Sequence, residues 1–121
     1  MNKITRKIKI NTLVEARNII SEPGKWTQKF FARDSEGHGC NVASKNAVCW
    51  CAMGALKKAC SRITEYGSYQ HYHLSDDLAD YIMESIDLES SSIYNYNDND
   101  LTTHAGILDA FDTAIRRMNY D

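Results

Sequence analysis

The sequence AVCWCAMGAL (residues 47–56) is the longest uninterrupted apolar run in the chain. We interpret it as the first turns of a helix over residues 46–62, capped by Ser44 or Asn46. A helix that is apolar on nearly every side is buried, so we expect this segment to be the central helix of the fold. Gly54 costs about 1 kcal/mol relative to alanine inside a helix, which predicts that another backbone passes close to it.

The N-terminal flank of this run mixes basic and apolar side chains. Residues 3–10 alternate between the two types, which predicts a short strand or an extended arm within residues 1–11. Thr12 and Glu15 form a capping box, so we expect a helix from Leu13 to the stop signal at 22–24. Residues 25–34 alternate again, and with a turn at 35–39 and a return at 40–42 they predict a small β-hairpin.

The C-terminal flank predicts two further helices. Residues 64–73 are interpreted as a loop, and a helix with Ser75 as N-cap follows, because apolar residues then recur every four positions. Residues 95–100 predict an irregular loop, and Thr102 or Thr103 caps a last helix. Together these elements predict a mainly α single domain over residues 1–121, with about four helices around the buried central helix and a small β-hairpin.

Length and composition describe one ordinary globular domain. The chain has 121 residues, of which 43% are hydrophobic and 25% charged, which excludes disordered and coiled-coil classes. The apolar run at 47–56 is too short to cross a bilayer, so no membrane partner is expected. No apolar block follows the basic first ten residues, which predicts a cytoplasmic location. The four cysteines are then expected to be reduced thiols.

The charges are divided between the two halves of the chain. Residues 1–62 hold twelve Lys or Arg against four Asp or Glu, a balance of +8, and residues 63–121 hold two against twelve, a balance of −10. The basic half suggests nucleic-acid binding, but the acidic half and the net charge of −2 oppose it, so nucleic acid is the weaker alternative. We interpret the division first as pairing within one chain or between copies in a homo-oligomer. The basic residues at issue are Lys3, Arg6, Lys7, Lys9, Lys25, Lys29 and Arg33.

Several short blocks along the chain resemble a known family. They are Trp26-Thr27-Gln28, Ala32-Arg33-Asp34, the segment 50–56, Asn97-Asp98, Thr103-His104 and Phe111-Asp112-Thr113-Ala114-Ile115. In order and spacing they are similar to the signature of an uncharacterised family of small bacterial and bacteriophage proteins, over roughly residues 13–118. The resemblance implies a bacterial or phage accessory protein of the cytoplasm (the host cytoplasm for a phage), acting on host or defence components. It carries over no catalytic residue.

One set of residues suggests catalysis. Cys51, His104 and Asp98 or Asn97 supply a thiol, an imidazole and a polar orienting group, as in cysteine hydrolases and acyl transferases. The predicted helix places Cys51 in its second turn, within the most apolar stretch, where a thiol is commonly a small core side chain. A cysteine hydrolase or acyl transferase is therefore the alternative function.

A second set of residues suggests binding. Polar and amphipathic side chains of the kind that fix a ligand or a partner lie near the predicted hairpin and the 95–100 loop, namely Trp26, Gln28, Arg33, Asp34 and Asn97. They could equally be structural, with Asn97 and Asp98 bonding backbone amides and Trp26 packing on the central helix. The leading prediction is a non-enzymatic binding or interaction protein for a protein partner or a small ligand.

The histidines and cysteines lack the spacing of a metal site. His38 and Cys40 lie two apart, as do His71 and His73, and neither pair has the separation of structural zinc ligands. The run at 95–100 resembles a calcium loop only in composition, because it lacks the required glycine and the terminal glutamate. We predict no metal and no cofactor.

Overall fold

The computed structural model describes residues 3–88 and 90–120. Five α-helices and one short two-stranded sheet are found in these residues, so the predicted mainly α class with a small antiparallel sheet is confirmed. Residues 1 and 2 of the expected arm lie outside the described part of the chain. The elements are α1 (Arg6–Ile19), β1 (Ala32–Arg33), β2 (Cys49–Trp50), α2 (Ala52–Cys60), α3 (Tyr69–Ser85), α4 (Ile93–Asp98) and α5 (His104–Tyr120).

Helix α2 occupies the centre of the core and packs against α1, α3 and α4. Its residues from Ala52 to Leu56 are all buried, which confirms a central buried helix. A Cβ atom added at Gly54 would stand 2.8 Å from the carbonyl carbon of Phe31 and closer still to its oxygen. The expected close backbone is therefore the segment around Phe31.

The central helix is shorter than predicted, and neither Ser44 nor Asn46 caps it. Cys51 is extended (φ −78°, ψ 174°), and its Sγ accepts a hydrogen bond from the N–H of Gly54 at 3.2 Å, so Cys51 is the N-cap. The residues before it form β2, which pairs antiparallel with β1. The prediction of helix over 46–51 is wrong because backbone pairing with a distant segment competes with the helix there.

The hairpin differs from its prediction in register and partner. Residues 32–34 and 38–40 do face each other, through the Arg33–Gly39 bridge and the bond from Cys40 N–H to the Ala32 carbonyl at 2.9 Å. The regular ladder is nevertheless β1 with β2, and no strand covers residues 25–31. Lys29 has φ 77°, a left-handed conformation that interrupts the extended chain.

Helix α1 begins earlier than the predicted capping box. The hydroxyl of Thr5 accepts from the N–H of Ile8 at 3.2 Å, whereas the hydroxyl of Thr12 lies inside the helix and donates to the carbonyl of Ile8 at 2.7 Å. The expected strand or extended arm is therefore wrong for residues 6–11. These residues are helical, and the helix buries Leu13 against the core.

Two segments predicted as loops are helical. Ser68, not Ser75, caps α3, and it accepts from the N–H of His71 at 3.1 Å. His71 is buried, and its Nε2 donates to the carbonyl of Lys57 at 2.8 Å. This tertiary hydrogen bond stabilises the first turn of α3, which the local sequence pattern did not indicate. Helix α4 likewise replaces most of the irregular loop at 95–100. The cap of α5 is as predicted, since Thr103 Oγ1 accepts from Gly106 N–H at 3.0 Å.

An ion pair joins the basic and acidic halves of the chain. Arg17 of α1 bonds Asp112 of α5 with Nε and Oδ1 2.6 Å apart, whereas the pair of Arg62 with Glu15 lies within the basic half. Asp112 accepts two hydrogen bonds from Arg17 of α1, although Arg116 lies four positions away on its own helix. Among the helices of the described residues, none combines the length and the apolar character needed to cross a membrane.

Candidate functional site

A cavity of about 280 Å³ lies where the 29–31 segment, the start of α2 and α4 meet. Its apolar floor and walls come from all three segments, and its polar groups are few. The lining residues are Lys29, Phe30, Phe31, Cys51, Met53, Ile93, Tyr94, Asn97 and Asp98. This combination of an apolar concave surface with a few polar groups is typical of ligand sites.

Three aromatic side chains of the lining remain open to solvent. Phe30, Phe31 and Tyr94 are 46%, 42% and 43% exposed, and the Phe31 and Tyr94 rings lie 5.8 Å apart. Cations already approach two of them, with Arg33 Cζ 4.3 Å from the Phe30 ring centre and Lys57 Nζ 5.6 Å from that of Phe31. Clustered exposed aromatic rings beside a cavity are characteristic of binding surfaces.

Asn97 connects the walls of the cavity. It is 1% exposed, and its Oδ1 accepts from Trp26 Nε1 at 2.8 Å and from the N–H of Ala52 at 3.0 Å. Its Nδ2 donates to the carbonyl of Thr27 at 3.2 Å and to Asp98 Oδ1 at 3.0 Å. The amide is thus fully engaged in joining α4, α2 and the segment around residue 27, a structural role.

Asp98 holds the 29–31 segment in place. Its Oδ1 accepts from the backbone N–H of Lys29 at 2.8 Å, which stabilises the left-handed conformation of that residue. Lys29 Nζ donates to the backbone carbonyl of Asp98 at 3.2 Å. Oδ2 of Asp98 receives no hydrogen bond from the described residues, so one carboxylate oxygen beside the cavity is unpaired.

The other predicted binding residues lie around the site rather than in it. Trp26 stacks on His104 with ring centres 5.8 Å apart, and Gln28 Nε2 donates to the Asn97 and Asn99 carbonyls at 2.9 and 3.1 Å. Arg33 donates to Thr27 Oγ1 and to the carbonyls of Gln28 and Gly37. Asp34 accepts from the N–H groups of Glu36 and His38. Of the five, only Asn97 lines the cavity.

The candidate catalytic residues do not form one group. Cys51 is 6% exposed, and burial raises the pKa of its thiol to about 11, with Asp98 raising it further and the Gly54 N–H opposing the shift. His104 Nε2 donates to the carbonyl of Ile20 at 2.6 Å. No hydrogen bond or ring contact joins Cys51 to His104, although both are described. Asp98 lines the cavity together with Cys51, but the ring nitrogen of His104 that is engaged bonds the carbonyl of Ile20 and not Asp98.

One cluster could in principle hold a cation. Ligand atoms of Asp34, Glu36 and His38 lie within 4.8 Å of one another on the turn after β1. Glu36 and His38 are exposed, and Asp34 already accepts two backbone bonds. Such exposed groups are common without an ion, so they do not define a site.

Sequence reasoning missed most of the cavity. Six of the lining residues were not predicted from the sequence as binding or catalytic residues, namely Lys29, Phe30, Phe31, Met53, Ile93 and Tyr94. The adjacent pair Phe30 and Phe31 was a usable signal, because two successive aromatic residues in an extended segment cannot both face the same core. Tyr94 offered none, since it lies just before the predicted loop at 95–100 and was assigned to no element.

Comparison with known proteins and families identifies the family of the chain. A model described as a family of unknown function (DUF6197) matches residues 6–117, nearly the whole chain. The resemblance to an uncharacterised family is thereby confirmed. No curated protein and no solved structure matches the chain.

Proposed function

The chain belongs to the DUF6197 family of unknown function, and we propose that it is a non-enzymatic binding protein that holds an aromatic group of a small ligand in the cavity beside α4. The observation that carries the proposal is the cavity of about 280 Å³ bordered by Phe30, Phe31 and Tyr94. An apolar cavity of about 150 Å³ is enough to bind benzene, so one substituted ring fits here.

The chemistry of the lining favours binding over catalysis. Cys51 offers a thiol to the cavity, but burial keeps its pKa at about 11, so the thiolate is scarce near neutral pH. His104 is engaged by Ile20 and cannot serve as its base in this arrangement. Only the position of Cys51 in the cavity supports the alternative, a cysteine hydrolase or acyl transferase.

The other partners considered receive less support. Arg33 and Arg17 are engaged by groups of the same chain, which leaves fewer cations for nucleic acid. The ion pair of Arg17 with Asp112 matches part of the charge division within one chain, which weakens the case for a homo-oligomer. All four cysteines are free, in keeping with a reducing compartment, and we propose a bacterial or bacteriophage accessory protein of the cytoplasm.

The proposal is tested by titrating ¹⁵N-labelled protein with benzyl alcohol and following backbone amide shifts. We expect saturable shifts confined to the 29–31 segment, the start of α2 and α4. Tyr94→Ala should weaken binding, because it removes one wall. Tyr120→Ala is the matched control, since Tyr120 is 88% exposed at the far end of α5. Shifts that are absent, or that are unchanged by Tyr94→Ala, would refute the proposed site.

A further inference from the structure

We infer that the ligand of this cavity carries a positively charged hydrogen-bond donor on its aromatic group, as an arylalkyl ammonium compound does, and that Asp98 receives that donor. The inference rests on the proposed function and names the ligand class of the same site. It follows from the bonding of one carboxylate, from the engagement of the nearby cations and from the rings that surround the cavity.

Only one of the two carboxylate oxygens of Asp98 accepts hydrogen bonds from the described residues. Its Oδ1 accepts from the N–H of Lys29 and from Asn97 Nδ2, which fixes the group in the wall. No described residue donates to Oδ2. In the empty cavity water can solvate this oxygen, because Asp98 is only half-buried.

Filling the cavity changes the surroundings of that oxygen. An apolar group seated against Phe31 and Tyr94 displaces water from the lining. An ionised carboxylate can only accept hydrogen bonds, and leaving one desolvated without a donor is costly. A ligand that supplies an N–H donor avoids this cost, and a charged donor gains the stronger, charge-assisted bond. A ligand carboxylate would instead be repelled.

The cations close to the cavity are already engaged by this chain. Lys29 Nζ donates to the backbone carbonyl of Asp98, and Arg33 donates to three acceptors, Thr27, Gln28 and Gly37. Lys57 Nζ lies between two rings, 5.6 Å from that of Phe31 and 5.5 Å from that of Tyr72. None of the three bonds the carboxylate oxygens of Asp98 through its side chain.

The aromatic walls add to the preference for a cation. The face of an aromatic ring carries partial negative charge and attracts an ammonium group within about 6 Å. Phe30 and Phe31 already hold Arg33 and Lys57 in this way. No Lys or Arg of the described residues lies over the Tyr94 ring, so Tyr94 is the wall residue that remains for a ligand ammonium.

Three compounds of one shape and different charge test the inference. Benzylammonium, benzyl alcohol and benzoate are titrated into the wild-type protein under identical conditions, with amide shifts as the readout. We expect benzylammonium to bind about tenfold more tightly than benzoate, with benzyl alcohol between them, because a charge-assisted bond is roughly twice as strong as a neutral one. Equal affinities for all three, or tightest binding of benzoate, would overturn the inference while leaving the cavity as a binding site. If none binds, the proposed function itself fails.

Variants assign the preference to one carboxylate. Asp98→Asn keeps an oxygen for the Lys29 N–H and removes the negative charge, so the advantage of benzylammonium over benzoate should disappear. Asp100→Asn is the control, because it removes the same charge from an exposed residue outside the cavity lining. If Asp98→Asn does not fold, the wild-type charge series still decides the inference. A preference that survives in a folded Asp98→Asn would overturn the role of Asp98.

Discussion

Replacing Gly54 with alanine should destabilise the protein, even though alanine is the better helix former. The added Cβ would enter the backbone of Phe31, 2.8 Å from its carbonyl carbon. The same carbonyl accepts the N–H of Cys51 at 3.2 Å, a bond that precedes the first turn of α2. Either the helix or the 29–31 segment has to move, and the cavity wall moves with it.

The size of the effect follows from three contributions. Overpacking a buried contact costs about 1–3 kcal/mol, and losing a buried hydrogen bond costs about 1–3 kcal/mol. The better helix propensity of alanine returns about 1 kcal/mol. The net loss is about 3 kcal/mol, which corresponds to roughly 12 °C in Tm for a domain of this size.

Thermal and urea unfolding followed by circular dichroism measure this loss. Gly106→Ala is the matched control, because its Cβ would meet only side-chain ends, Thr103 Oγ1 at 3.3 Å and Tyr96 Oη at 3.5 Å. We expect Gly106→Ala to stay within about 1 kcal/mol of the wild type. A Gly54→Ala protein as stable as the wild type would show that Phe31 does not rest against α2.

Four further predictions concern three single side chains. Asn97→Asp should lower the free energy of unfolding by about 3 kcal/mol, because it places a buried carboxylate next to the half-buried one of Asp98 and replaces a donor; urea unfolding measures it, and a neutral result would contradict the hydrogen-bond network. Native Cys51 should resist iodoacetamide at pH 8, because burial raises its pKa to about 11, and peptide mass spectrometry should find the half-buried Cys40 and Cys49 alkylated before it. Since this pKa lies above the usual 9.0, the contribution of Cys51 to stability is complete below pH 9.0 and is lost as the pH rises through about 11; Cys51→Ala should flatten that loss. Arg17→Met should lower the free energy of unfolding by about 0.5–1 kcal/mol, because it removes the ion pair with Asp112. High salt should then reduce the difference in stability between the variant and the wild type, since salt screens the pair.

The sequence predicted where the core lies better than where its elements begin. Burial of the segment 52–56 followed directly from its apolar composition. The extended conformation of Cys49 and Trp50 did not, because a short apolar run fits a strand or a helix equally well. The decision rests on their partners in β1, which lie 16 and 18 positions away. The start of α3 could not be predicted for a similar reason. The hydrogen bond from buried His71 to the carbonyl of Lys57 is a tertiary contact, and a local sequence pattern does not reveal it.

The candidate site was predicted in part. Cys51, Asn97 and Asp98 were selected for their chemistry, and all three line the cavity. Their roles are set by neighbours that a linear pattern does not reveal: Asn97 is saturated by four hydrogen bonds, and Cys51 caps a helix. Tyr94 was missed because nothing in its local pattern distinguishes a ring bordering a cavity from one covered by the core, whereas the adjacent Phe30 and Phe31 did carry a signal.

The bond between Trp26 and Asn97 joins residues 71 positions apart, and it constrains the order in which the molecule can be assembled. A nascent chain that has emerged only as far as α3 already contains the 29–31 segment and α2, but it has no α4 to close against them. Closure across so long a separation is slow compared with the formation of local helices. The cavity is therefore a late product of folding: a chain that stops before residue 97 still lacks Asn97 and Asp98 of the cavity lining, and it also lacks α5, which packs on α1 and α3.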